Sequence, residues 1–148
     1  MTSADTSGGL FLAEPAGAYT PYPPLVVDCS VLAAVLFDEA EREAAAVAMA
    51  GRELFAPELI DHEMVSVALK KAHAGLAAMA QQALTDLAEL RLRRCTVDPR
   101  AQFDLAHRLQ LTAYDAAYLQ LALDLGAPLV TYDERLGQAA QRLLSGVA

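Results

Sequence analysis

Four carboxylates carry the chemistry this sequence could do: Asp28, Glu63, Asp115 and Asp133. Asp28 ends the run Leu25-Val-Val-Asp28-Cys-Ser30, and Asp133 follows Leu129-Val-Thr-Tyr. In both places a buried-strand pattern stops at the acid and a helical pattern begins. Asp115 lies in the first turn of the helix before the second of these strands, and Glu63 lies one turn into an earlier helix. In a right-handed α/β sheet, strand ends and helix starts fall on the same edge, so all four acids could converge there. Two carboxylates ~4 Å apart repel by roughly 4 kcal/mol at an effective dielectric of 20. Four would raise one another's pKa values or splay apart unless a cation sat between them. An all-oxygen set without His or Cys selects Mg²⁺ or Mn²⁺, and such centres act on phosphates. Each acid also has a plainer explanation. Asp28 and Asp133 could be N-caps, Asp115 the acidic partner of Thr112 in a capping box, and Glu63 a residue edging an apolar face.

The elements that must position these acids follow from the pattern of apolar residues. Pro23 and Pro24 keep any helix from leading into the strand that ends at Asp28. Val31 to Phe37 reads as a helix, and Asp38 opens a second one through Met49, stopped by Gly51. Glu53 to Ala56 is a second strand, ended by Pro57, which suits the first turn of the next helix. Ile60, Met64, Val67, Ala68 and Lys71 trace one face of that helix. Gly75 breaks the pattern and Met79 to Leu90 resumes it, as in an αα-hairpin. Arg93 to Val97 is a third strand, at a sheet edge. Asp98-Pro99 starts a helix to about Leu109, and Thr112 to Asp115 opens another through Leu125. Gly126 closes it, Pro128 to Tyr132 is a fourth strand, and Asp133 caps a last helix to Leu144. Strands alternating with helices predict a three-layer α/β/α domain with a central, mostly parallel sheet of four or five strands.

The 148 residues suit one domain, 55% apolar and 20% charged, which excludes disorder for the bulk of the chain. Residues 1–24 are aperiodic and rich in Ser, Thr, Gly, Ala and Pro, so they read as a flexible tail ahead of a domain over 25–148; Leu10-Phe11-Leu12 is the part that could dock. No stretch reaches the about 18 apolar residues of a membrane span, and the start lacks a signal-peptide pattern. Cys29 and Cys95 have no CxxC spacing and read as two buried thiols, so the expected compartment is the cytoplasm. The formal net charge of −8 argues against general nucleic-acid binding, but it allows acidic residues concentrated in one metal-binding cleft.

Four segments together resemble a known family. They are Val26-Val-Asp28-Cys-Ser30-Val-Leu, Ala56-Pro-Glu-Leu-Ile-Asp-His-Glu63, Leu111-Thr-Ala-Tyr-Asp115-Ala-Ala-Tyr, and Leu129-Val-Thr131-Tyr-Asp133-Glu-Arg-Leu. In this order and spacing they resemble the PIN domains, specifically the VapC-type toxin ribonucleases of toxin–antitoxin pairs. The resemblance implies that Asp28, Glu63 and Asp115 bind the metal, with Asp133 completing the pocket directly or through water. Ser30 matches the small group that hydrogen-bonds near the metal, and Thr131 the hydroxyl two residues before the last acid. The implied activity is Mg²⁺- or Mn²⁺-dependent hydrolysis of an RNA phosphodiester, leaving a 5′-phosphate and a 3′-hydroxyl. The implied partners are RNA, a second copy of the chain, and a small antitoxin whose tail enters the cleft. Two departures stand out. Cys29 replaces a more usual small aliphatic or threonine, and only Ser145 to Ala148 follow the last helix, so the family's fifth strand is expected to be very short or absent.

Other residues point nowhere as firmly. His62-Glu63 lacks the second histidine of a zinc-protease motif, since Ser66 stands there. His73 and His107 have no partner at ligand spacing. Arg91, Arg93 and Arg94 read first as complements to a helix C-terminus and second as phosphate contacts. Tyr114 and Tyr118 read as helix-packing or dimer contacts. Two rival functions remain. A haloacid-dehalogenase-like phosphatase would need a second aspartate where Ser30 stands. A catalytically quiet PIN-fold module, binding RNA or a partner protein, would not need all four acids.

Overall fold

The computed structural model describes residues 8–15 and 22–145. Its elements run, in chain order, β1 (Phe11–Ala13), β2 (Pro24–Val27), α1 (Cys29–Leu36), α2 (Arg42–Met49), β3 (Glu53–Pro57), α3 (Ile60–His73), α4 (Ala77–Glu89), β4 (Leu92–Cys95), α5 (Pro99–Leu109), α6 (Ala113–Leu125), β5 (Leu129–Thr131) and α7 (Glu134–Leu144). The strands form one sheet in the order β1-β5-β2-β3-β4. All neighbours are parallel except β1, which runs antiparallel to β5.

Leu25, Val26 and Val27 are buried because β2 has a paired strand on either side and helices on both faces. Its register pairs Val27 with Val130 of β5 and Val26 with Phe55 of β3, so the carboxyl ends of the central strands are level. Right-handed crossovers place α1 to α4 on one face as the chain steps from β2 to β3 to β4. The return from β4 to β5 carries α5 and α6 over the other face, where α7 joins them. The result is the expected three-layer α/β/α architecture, with five strands.

The fifth strand comes from an unexpected place. Phe11–Ala13, in the segment read as a flexible tail, pairs with β5 in the register Phe11 with Thr131, Leu12 with Val130 and Ala13 with Leu129. Without it β5 would carry an open edge, a template for aberrant pairing. The strand is locked from below by Gly137, inside α7. A Cβ there would stand 2.3 Å from Phe11 Cγ, so only glycine lets the ring lie against the helix. Of the segment read as a tail, residues 1–7 and 16–21, like residues 146–148, fall outside the described residues, while Glu14 pairs with Arg52 at 3.1 Å.

Two local boundaries also differ from expectation. Asp38 has φ 52°, a left-handed conformation incompatible with helix, so α2 begins at Arg42 rather than at Asp38. Pro57 closes β3, paired with Cys95, instead of opening the next helix, which starts at Ile60.

Candidate active site

Asp28 occupies the N-cap position of α1, yet its side chain caps nothing. Ser30 Oγ donates to its Oδ2 at 2.8 Å and Thr131 Oγ1 donates to the same oxygen at 2.7 Å. Each hydroxyl is itself an acceptor: Ser30 Oγ takes the Tyr132 amide at 3.0 Å, and Thr131 Oγ1 takes the Asp133 amide at 2.9 Å. Because those backbone donors occupy the hydroxyl lone pairs, both hydroxyl protons are directed at Asp28. The end of β5 thus orients a carboxylate at the end of β2. Asp28 is only 6% exposed, and burial is the main cause raising its pKa, against which the two hydroxyls and the Cys29 amide act.

Glu63 stands in the first turn of α3, half-buried. Its Oε1 accepts a 2.7 Å hydrogen bond from the hydroxyl of Tyr118, which is fully buried. Burial first, then Glu63, pushes the Tyr118 pKa far upward, so the phenol remains a donor. Asp115 sits in the first turn of α6, whose N-cap Thr112 accepts from the Asp115 amide at 3.0 Å. Asp133 is a genuine N-cap, accepting from Leu136 N at 2.7 Å, and it is exposed. The plain capping explanation therefore holds for Asp133 and fails for Asp28.

The four acids come to one edge and feel one another's charge. Asp115 is pushed up to about 6, by burial first and then by Asp133 and Asp28. Glu63 is raised by burial, and further by Asp28 and Asp115, against its Tyr118 hydrogen bond. Asp28 and Asp115 each act on Glu63, and Asp133 acts on both Asp28 and Asp115. None of the four is ion-paired with Lys or Arg among the described residues. They are not drawn into a closed ligand cluster either: among the described residues, no three Asp, Glu, His or Cys side chains form one. Mutual repulsion of this size keeps carboxylates apart when nothing bridges them. The donor set fits a hard divalent cation, being all oxygen, partly desolvated and without an ion-paired base among the described residues, Arg135 acting on Asp115 only as the weakest of the influences on it.

Several side chains differ from their sequence-based reading. Tyr118, read as a packing or dimer contact, does pack in the core, and in addition its hydroxyl donates to Glu63. Its position three residues after Asp115, on the same helix face, was the available signal. Tyr114 is 63% exposed and packs into no core. Arg93 and Arg94 belong to β4 rather than a helix end; Arg93 pairs with Glu53 at 2.8 Å and Arg94 grips Asp61 with two bonds of 2.7 and 2.8 Å. Cys29 is buried against Met64, Sγ to Sδ 3.5 Å, and burial next to two acids lifts its pKa to about 12, so the thiol is inert. Cys95 is only half-buried. His107 stacks on Phe103, with ring centroids 5.9 Å apart.

A buried strand ends in a hydroxyl-clamped aspartate, and three more acids come to the same edge of the sheet in a three-layer fold. The sequence matches the PIN domain family over residues 25–141. The chain belongs to the PIN domain family, on its VapC-type branch. It is 32% identical over 128 residues to Ribonuclease VapC3 of Pyrobaculum aerophilum, spanning 82% of this chain and 98% of that protein. Its fold is similar to the crystal structure of PAE2754 from the same organism, with a TM-score of 0.61 and 23% identity over 80% of this chain and 81% of that one. No helix among the described residues is long and apolar enough to cross a membrane.

Proposed function

We propose that the chain is an endoribonuclease that hydrolyses RNA phosphodiester bonds with the help of Mg²⁺ or Mn²⁺, and that it serves as the toxin of a toxin–antitoxin pair. The observation carrying this reading is the treatment of Asp28: a buried carboxylate at a helix start that spends its hydrogen bonds on Ser30 and Thr131 instead of on the helix. The likeness to a ribonuclease over most of both chains supports the choice of RNA.

In this reading Asp28, Glu63 and Asp115 hold the cation, and Asp133 completes the shell at its outer side. The bound cation would supply charge neutralisation at the phosphate and an activated water. Ser30 and Thr131 fix the direction of Asp28, and Tyr118 fixes Glu63, so the carboxylates need not reorganise when a phosphate arrives. The same reading includes a homodimer and a small antitoxin whose tail reaches this pocket.

The test is cleavage of RNA by the purified protein with added Mn²⁺ or Mg²⁺, against the Asp28→Asn variant. The amide oxygen of the substituted side chain can still accept from both hydroxyls, so the fold should survive while activity disappears. A variant as active as the parent would place the chemistry elsewhere. Co-expression with the adjacent gene is expected to yield a small, basic-tailed partner bound to the chain. The open arrangement of the acids favours one other reading, a catalytically quiet PIN-fold module. That module would neither cleave RNA nor bind Mn²⁺ in a titration.

A further inference from the structure

Helix α3 carries more than Glu63 on the face it turns toward the acids. Leu59, at its N-cap, is followed by His62, Glu63, Ser66, Val67 and Lys70 at steps of three and four, which makes one continuous stripe. With Cys29 and Tyr114, this stripe lines a groove of about 470 Å³ that includes Glu63, one of the four acids. The volume falls in the about 300–1,000 Å³ range of clefts that hold small ligands or parts of larger ones. Its lining includes the half-buried apolar Leu59 and Val67 and the exposed polar His62 and Ser66. Tyr114, next to Asp115 in the chain, also lines it and is 63% exposed.

We propose that this groove seats an unpaired nucleobase of the RNA next to the bond to be cut, with Tyr114 as its stacking platform and Lys70 on a neighbouring phosphate. The inference rests on the ribonuclease reading and adds to it the side chains that seat the nucleotide beside the cut, Tyr114 and Lys70. A phosphate held at the acids must place the adjoining nucleotides along the walls that leave Glu63. An aromatic face left bare to water at that point offers stacking, which any base can use only when it is out of a duplex. Ser66 and His62 offer hydrogen bonds to a base edge. Lys70 lies seven residues, about 10 Å along the helix axis, beyond Glu63, too far for the reacting phosphate and well placed for another. It has no carboxylate partner among the described residues, whereas its neighbour Lys71 is paired with Glu39 at 3.3 Å. In a chain of net charge −8, long-range attraction of RNA is lacking, so local contacts of this kind must supply the hold.

The experiment has two arms. Steady-state cleavage of a single-stranded RNA with Mn²⁺ should show KM rising about 5- to 100-fold in Tyr114→Ala with kcat little changed, and near-parent values in Tyr114→Phe, which keeps the ring. Fluorescence anisotropy of the same RNA on the Asp28→Asn background, where nothing is cut, should show the same loss in affinity for Tyr114→Ala. There, Lys70→Gln should lower the salt slope by about 0.7, the share of one single-strand phosphate contact. Unchanged KM and affinity in Tyr114→Ala overturn the proposal. So does equal affinity for the duplex, or a Tyr114→Ala defect confined to binding of a protein partner. If the parent cleaves no RNA, the ribonuclease reading fails, and the anisotropy arm still decides whether the groove takes a single strand.

Discussion

The two edges of the sheet treat charge in opposite ways. At the amino edge, three arginines line an open cleft of about 700 Å³ near the starts of β3 and β4, and two of them are answered, Arg93 by Glu53 at 2.8 Å and Arg52 by Glu14 at 3.1 Å, while the exposed Arg91 has no ion pair among the described residues. At the carboxyl edge, burial and then neighbouring acids raise the pKa values of Asp28, Glu63 and Asp115, and no basic side chain is ion-paired to the four acids among the described residues. Paired surface charges contribute little and ask for no ligand. Unanswered charges that burial has already made unfavourable do ask for one, and hydroxyls are spent to hold them in place. Pairing, more than charge density, separates the edge that supports the fold from the edge proposed to do chemistry.

The contrast can be broken in several places. Asp28→Asn should reduce RNA cleavage to background while far-UV circular dichroism stays that of the parent; retention of activity would dissolve the distinction altogether. Next in size, Tyr118→Phe removes the hydroxyl that donates to Glu63 without opening a cavity. Mn²⁺ affinity by calorimetry should fall about 10- to 100-fold, as is usual when a ligand's supporting partner is lost. The pH dependence of the metal-free protein gives a smaller, graded effect. Asp28, Glu63 and Asp115 are raised in the fold, Asp115 to about 6. The folded chain therefore binds more protons than the unfolded chain between the ordinary carboxylate range and about 6, and stability is lost as pH rises through that window. Melting in the presence of a chelator should occur at a higher temperature near about pH 5 than near about pH 7.5, and Mn²⁺ should offset the difference. A profile that is flat, or that rises with pH, would mean the acids do not burden the fold. Smallest of all, Arg93→Ala at the amino edge should cost no more than about 1 kcal/mol in urea unfolding and leave cleavage unchanged.

What the sequence revealed was local. The strand into Asp28 is a continuous apolar run after two prolines. The starts of α5, α6 and α7 are announced by residues that do cap them, Asp98, Thr112 and Asp133. The four acids were legible because each stands at such a boundary. Whether they meet was not, since that depends on strand register. Tyr118 was hidden for the same reason: its burial reads as packing until Glu63, 55 residues away, is placed against its hydroxyl. The start of α2 was missed because Asp38 is an ordinary acidic helix opener that here adopts a left-handed turn and binds Arg42 instead, at 2.9 Å. β1 was missed because three apolar residues in an aperiodic tail carry no period. Its one distant sign was a glycine in the middle of α7, where it costs about 1 kcal/mol relative to alanine.

That glycine ties the start of the chain to the acid-bearing strand. The family match begins at residue 25, downstream of the strand that shields β5. A chain cut to that boundary would lose the partner of Thr131 while keeping every acid, and would bare a sticky flank beside the hydroxyl that steers Asp28. It should self-associate edge to edge, measurable by sedimentation, and grip Mn²⁺ less well than the whole chain. Any tag or fusion is accordingly better placed at the other terminus.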